Sequence, residues 1–196
     1  TPRENRALSS TSKAELEMSD PDVQGQMAAS SSESSNSLLV AAQLGSVQDV
    51  REALERGLSP EAGFDAHGRR ALHLSVMNAH LECAKLLIYA GADVNAQSDD
   101  GGTPLYLCCV FDSPECATLL LDNGAEVDQP TQSGWTPLLA SCYEGHTACT
   151  QICMTRGADI ERSNSEGVTP LIMACTFGRA ECARLCLMNG ADVERE

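Results

Sequence analysis

Between Cys142 and Cys153 the chain reads CYEGHTACTQIC, three cysteines and a histidine within twelve residues. Cys142, His146, Cys149 and Cys153 supply the thiolate and imidazole donors that a tetrahedral structural zinc ion takes. Asp99 and Asp100 form a second suggestive pair, adjacent carboxylates of the kind that can share general acid and general base work. The pair sits beside Gly101 and Gly102 with nothing apolar nearby to raise a pKa, so a solvated turn is the simpler reading. His67, His80 and His146 have no nucleophile at a suggestive spacing. Phosphate-cradling glycine loops, the HExxH zinc motif and the Gly-x-Ser-x-Gly elbow do not occur in the sequence. No motif for catalysis is present, and the expected reading is a non-enzyme without a cofactor.

Composition narrows the partners. The 196 residues carry a net charge of −15, which argues against nucleic acid, because phosphate binding needs a basic face. The same charge disfavours an anionic membrane surface. No run of apolar residues is long enough to span a bilayer, and the first residues, TPRENRALSS, lack the apolar core of a secretory signal. A chain that begins with Thr reads as a fragment or a processed product. Residues 1–34 contain no Phe, Trp, Tyr, Ile or Cys and include Ser30-Ser31-Ser32-Glu33-Ser34. Such a segment buries too little apolar surface to offset its ordering entropy. It is predicted to be a disordered linker, with a short helix around Lys13–Met18 and serines open to phosphorylation.

From residue 35 onward the sequence copies itself. Thr103-Pro104-Leu105, Thr136-Pro137-Leu138 and Thr169-Pro170-Leu171 are spaced 33 residues apart, as are Gly91, Gly124, Gly157 and Gly190. Arg70-Ala71-Leu72-His73 is a degenerate copy, and Asn36-Ser37-Leu38 a more distant one. Five units are predicted, beginning near residues 36, 70, 103, 136 and 169, with one extra residue in the loop near Pro60. In the last three, a Thr suited to capping precedes a Pro suited to the first helical position. A short turn, a second amphipathic helix and a terminal Gly follow. A polar stretch with a turn glycine then leads into the next unit.

The pattern Gly-x-Thr-Pro-Leu, then Gly-His, then Gly-Ala-Asp-Val-Asn resembles the ankyrin repeat, whose period is 33. The resemblance covers residues 36–196 and implies an all-α repeat fold, a solenoid of stacked helix-turn-helix units with β-hairpin or extended fingers. The family's usual histidine after Thr-Pro-Leu survives as His73; Tyr106, Leu139 and Ile172 replace it elsewhere. Those units lose a local polar network and keep the packing.

The repeat register recasts the zinc question. All ten cysteines fall into columns of the repeat. Cys83, Cys116, Cys149 and Cys182 share one; Cys109, Cys142 and Cys175 share another with Ala42 and Val76; Cys153 and Cys186 stand with Leu87 and Leu120; Cys108 stands with Ala41, Ser75, Ser141 and Ala174. Free cysteine behaves there as a small buried hydrophobe. His146 shares its column with His80, Ser113 and Arg179, so no ligand set recurs with the sulfurs. Packing, not metal, is expected. Equivalent positions on stacked helices lie ~8–10 Å apart, beyond the ~7 Å Cα limit for a disulfide. Free thiols then point to a reducing compartment, cytoplasm or nucleus.

The ankyrin resemblance implies a protein-binding function, on a concave surface made by finger tips and first helices. It places there the residue pairs ending each first helix, from which Leu44, Met77, Val110, Phe111, Tyr143 and Phe177 are candidate contacts. The fingers add Arg69, Asp100 and Trp135, the last either a partner anchor or a packing residue between fingers. The stripe Phe111, Tyr143, Phe177 reads either as a contact surface or as inter-repeat core. Between Lys85 and Arg156 no Lys or Arg occurs, against nine acidic residues, so the expected partner is a basic or mixed basic–apolar protein or peptide. Two readings remain: an adaptor or scaffold module, or the substrate-recruiting arm of a larger enzyme such as a ubiquitin-ligase receptor or kinase. Asn95 resembles a site of asparaginyl hydroxylation in ankyrin repeats and reads equally as a turn residue. Leu185, Cys186 and Met188 would leave an apolar edge on the last unit, from which further repeats or another domain beyond Glu196 are expected.

Overall fold

A computed structural model describes the backbone of residues 30–194 and the side chains of residues 37–194. The expected linker up to residue 29, its short helix around Lys13–Met18 and its upstream serines lie outside the described residues. The first helix begins at Ser30, inside the segment that composition assigned to the linker.

Ten helices and no strand occur among the described residues, arranged as five pairs. They are α1 (Ser30–Leu44) with α2 (Val47–Glu55), α3 (Ala71–Met77) with α4 (Leu81–Tyr89), and α5 (Pro104–Phe111) with α6 (Pro114–Asp122). Two more pairs follow, α7 (Pro137–Glu144) with α8 (Thr147–Thr155) and α9 (Pro170–Thr176) with α10 (Ala180–Met188). The Thr-Pro signal marks the helix starts. Thr103, Thr136 and Thr169 are extended, and their hydroxyls accept from the backbone N–H of Tyr106, Leu139 and Ile172 at 3.2, 3.2 and 3.4 Å. Arg70 lacks that hydroxyl. There the His73 ring turns back, and its Nδ1 accepts from the Arg70 N–H at 3.1 Å.

First helices pack on first helices in the order α3, α5, α7, α9, and second helices stack alongside from α2 to α10. The core runs between these two layers as one strip of leucines, alanines and thiols, with Leu72, Leu87, Leu105, Leu120 and Leu138 all but fully covered. No unit has two apolar faces to close on itself, so each depends on its neighbours.

The fingers are hairpin-like without strand pairing. Each is closed by one backbone bond across its turn: Asp65 N–H to Arg69 O, Ser98 to Gly102, Thr131 to Trp135 and Asn164 to Val168, at 2.9–3.1 Å. A second bond ties each tip to the next, from Asp99 N–H to His67 O, Gln132 to Asp100 and Ser165 to Ser133, at 2.9, 2.9 and 3.2 Å. One backbone bond per junction is too sparse for a sheet, yet it fixes the fingers in register.

Candidate protein-binding surface

Finger residues serve the fingers first. Asp65 binds the backbone N–H of His67 and Arg69, and the Arg69 guanidinium donates to its carboxylate at 2.6 Å. Arg69 also reaches the Met77 sulfur at 3.4 Å and is only 5 % exposed. The expectation that Arg69 meets a partner is corrected: its charge is neutralised inside the finger and its side chain is covered. In the next unit Asp100 has a similar role. Its Oδ1 accepts from Ser98 Oγ at 2.6 Å and from the Gly102 N–H at 3.0 Å, while the residue stays exposed.

At the ends of the first helices the candidates diverge. Leu44 is 72 % exposed, and Met77 and Phe111 are half-buried. Val110 is 2 % exposed, which corrects its assignment as a contact residue: Val110 packs inward. Its register predicted projection, but α5 is apolar throughout, PLYLCCVF, and all of it from Pro104 to Val110 is buried. Trp135, Tyr143 and Phe177 come together. The Trp135 and Tyr143 rings meet edge to face with centroids 5.4 Å apart, and Tyr143 meets Phe177 at 4.6 Å and 69°. Leu139 and Met173 floor this group and Val168 flanks it. Tyr143 is the covered member at 8 % exposure, while Trp135 and Phe177 keep some of their surface in solvent. Phe111 is not part of this group, so the expected three-unit stripe is instead a two-unit cluster with Trp135 in Phe111's place.

Sequence reasoning missed the floor of this cluster. Leu139 stands where His73 stands two units earlier, and that substitution was its signal. An imidazole there ties the finger base to the helix; a leucine makes the same place apolar. Charges of both signs act on it. Burial raises the Tyr143 phenol pKa, the Glu144 carboxylate raises it further and Arg179 opposes them. Arg179 is itself engaged, its Nε donating to the Tyr143 carbonyl at 2.9 Å.

Loop staples between successive units repeat as regularly as the fingers. Glu61 accepts from the Asp93 N–H at 3.0 Å, Asn95 from Glu126 at 2.8 Å, Asp128 from Asp159 at 2.9 Å and Glu161 from Asp192 at 2.8 Å. Asn95 alone adds a donor, its Nδ2 reaching the Gly124 carbonyl at 3.3 Å.

The family model for ankyrin repeats (3 copies) matches residues 11–98, 38–131 and 105–196. The chain belongs to the ankyrin repeat family. It is similar to an ankyrin repeat-containing protein of Schizosaccharomyces pombe, 36 % identical over 69 residues, 35 % of this chain and 33 % of that protein. It is similar also to protein phosphatase 1 regulatory subunit 27 of Mus musculus, 45 % identical over 42 residues, 21 % of this chain and 27 % of the relative. A third similarity is to ankyrin repeat and SOCS box protein 16 of Mus musculus, 37 % identical over 71 residues, 36 % of this chain and 15 % of the relative. The chain thus spans a third or less of the length of these relatives. Ankyrin repeats generally mediate protein–protein interaction. No described helix is long and apolar enough to cross a membrane.

Within the ankyrin array the suggestive zinc residues divide. His146 Nδ1 bonds the Cys109 carbonyl at 2.9 Å, as His80 Nε2 bonds the Gln43 carbonyl at 3.1 Å, so these two imidazoles tie their second-helix starts to the first helix of the repeat before. Arg179 does this work in the last repeat. Among the described residues no group of three or more His, Cys, Asp and Glu side chains is placed to hold a metal ion. The sulfurs line the interlayer core, all buried except Cys175. That exception corrects the expectation that every thiol packs. Cys175 follows the column of Cys109 and Cys142, whose thiols meet a sulfur of the next repeat at 3.6 and 3.8 Å; in the last repeat nothing described lies over it.

Proposed function

We propose that the chain is a protein-interaction module whose strongest contact is the Trp135–Tyr143–Phe177 cluster at the junction of the fourth and fifth repeats. The observation that carries this is the cluster's division: Tyr143 is locked, while Trp135 and Phe177 stay partly open on its two sides. Rings already held by one another lose little entropy on binding and offer a large contact area. The partner is read as a segment with an apolar anchor beside Lys or Arg. The Glu144 carboxylate acts on the Tyr143 phenol, Asp99 and Asp100 are exposed along the fingers, and the interval between Lys85 and Arg156 adds no Lys or Arg. Leu44, Met77 and Phe111 extend this face toward the first repeat. Ankyrin repeat proteins are typically non-catalytic, and this chain is read as one. A relative named as a regulatory subunit of a phosphatase fits a role exercised through another protein. Recruitment of a substrate to a catalytic domain elsewhere in a longer protein would use the same face. Unpaired cysteines fit residence in cytoplasm or nucleus.

Panning a random peptide library against the array tests the reading. Selected peptides should combine Lys or Arg with Trp, Phe or Leu, and Trp135→Ala/Phe177→Ala should lower their affinity by about tenfold or more, the loss of one hot-spot contact. Unaltered binding by a variant with an unchanged melting curve would overturn it.

A further inference from the structure

Cys109 and Cys153 bring their sulfurs to 3.6 Å, and Cys142 and Cys186 bring theirs to 3.8 Å. Both pairs join a first helix to the second helix of the next repeat with the same separation of 44 residues. Neither is a within-column pair, the kind that sequence spacing excluded. The corresponding pair one repeat earlier is Val76 with Leu120, both buried, so the position itself demands only an apolar contact. Two sulfurs facing each other twice, where a neighbouring layer manages with hydrocarbon, is chemistry beyond packing.

We propose that Cys109–Cys153 and Cys142–Cys186 are oxidation sites that a small-molecule disulfide converts into two inter-repeat crosslinks, α5 to α8 and α7 to α10. One protein thiolate attacks a sulfur of the oxidant, forms a mixed disulfide and expels one small thiol. The second protein thiolate then displaces the other small thiol and closes the bridge. Two protein thiol protons end on the two released thiols, and the oxidant's disulfide is reduced as the protein's forms. Closing from these distances to a bonded ~2.05 Å needs each pair to approach by roughly 1.6 Å, within reach of χ1 rotation plus a small helix shift.

The order of reaction follows from the stack. All four thiols are fully covered, so oxidant reaches them only when a repeat opens. The repeat of α9 and α10 packs against a described neighbour on one side alone, so Cys142–Cys186 should close first. The hydrogen bonds among these thiols agree in direction: those with Cys182 and then Cys186 raise the Cys142 pKa, and that with Cys142 lowers the Cys186 pKa, so Cys186 is the readier thiolate of its pair. Cys175, exposed and without a close thiol, is a decoy that forms only mixed disulfides.

The test uses the reduced chain with Cys175→Ser, incubated folded with oxidised glutathione, alkylated and mapped by mass spectrometry without reduction. The expected result is a Cys142–Cys186 peptide, then a Cys109–Cys153 peptide, each lighter by two hydrogens. Cys142→Ala should abolish the first and leave the second. In the oxidised form, amide exchange in Ala180–Met188 should slow by about tenfold or more, since a closed loop restrains opening. Crosslinks between other cysteines would overturn the assignment. So would four intact thiols after an incubation that hydrogen exchange shows to span many openings of the last repeat, or exchange that does not slow on oxidation.

Discussion

His73 is held neutral by its surroundings. Its Nδ1 accepts from Arg70 N–H, which leaves the proton on Nε2 to donate to the carbonyls of Ala96, at 3.0 Å, and Gly102, at 3.3 Å. Burial, the largest cause, lowers its pKa from 6.5 to about 4, with the two carbonyls pulling the other way. As the pH falls below 6.5 the unfolded chain takes up a proton that the folded chain refuses until about pH 4. The contribution is therefore complete above the unfolded pKa and is lost on acidification, by about 2 kcal/mol between pH 7 and pH 5. Denaturant midpoints at the two pH values should show this loss for the native chain and lack it for His73→Leu, a side chain that Leu139 already places in the same column. Equal pH slopes would remove His73 from the account. Asn95 offers a second residue-level test through its bonds to Glu126 and Gly124. Asn95→Ala should cost about 1–2 kcal/mol, and Asn95→Asp, which keeps the acceptor that Asp128 supplies one unit on, should cost under about half that. Urea unfolding measures both.

At the scale of one helix pair, the turn between first and second helix needs a residue at positive φ. Gly45, Gly145 and Gly178 provide it at φ +71°, +85° and +67°, while Ala79 and Asp112 are forced there at φ +55°. A Cβ in that region crowds the backbone, at a cost of about 1–2 kcal/mol. Ala79→Gly should therefore stabilise the array by about 0.5–1 kcal/mol after the greater entropy of the unfolded glycine is counted. Thermal melting checks it; a lower melting temperature would mean that the turn carries no strain. The helix starts were legible because a Thr-Pro pair is a local signal, its cap made within three residues. The inward turn of Val110 was not. In an all-apolar helix no periodicity says which side faces the neighbour, and only the packing of α5 against α3 and α7 decides it.

Over the whole molecule the charge of −15 sets the approach of a partner more than its grip. Much of the acidity has local work, as in Asp122, which pairs with Arg156 at 2.6 Å, and Asp128, which staples a loop. What remains along the fingers and beside Tyr143 should still attract a cationic peptide. Its affinity should fall by about tenfold from low salt to about 0.3 M salt, mostly through a slower association rate. Surface plasmon resonance separates the two rates, and an association rate indifferent to salt would leave the partner's charge unsupported.

The sequence by itself determined the period, the number of units, the caps, the turns and the columns into which the cysteines fall, because each rests on residues close together in the chain and repeated. Only the tertiary structure decided what crosses between repeats. It put Trp135, Tyr143 and Phe177 into one cluster and left Phe111 outside, turned Arg69 and Val110 inward, exposed Cys175, and set Cys109 against Cys153 and Cys142 against Cys186. These outcomes depend on the angle and offset at which one layer lies on the next, which the summed packing of many side chains fixes and no local spacing encodes.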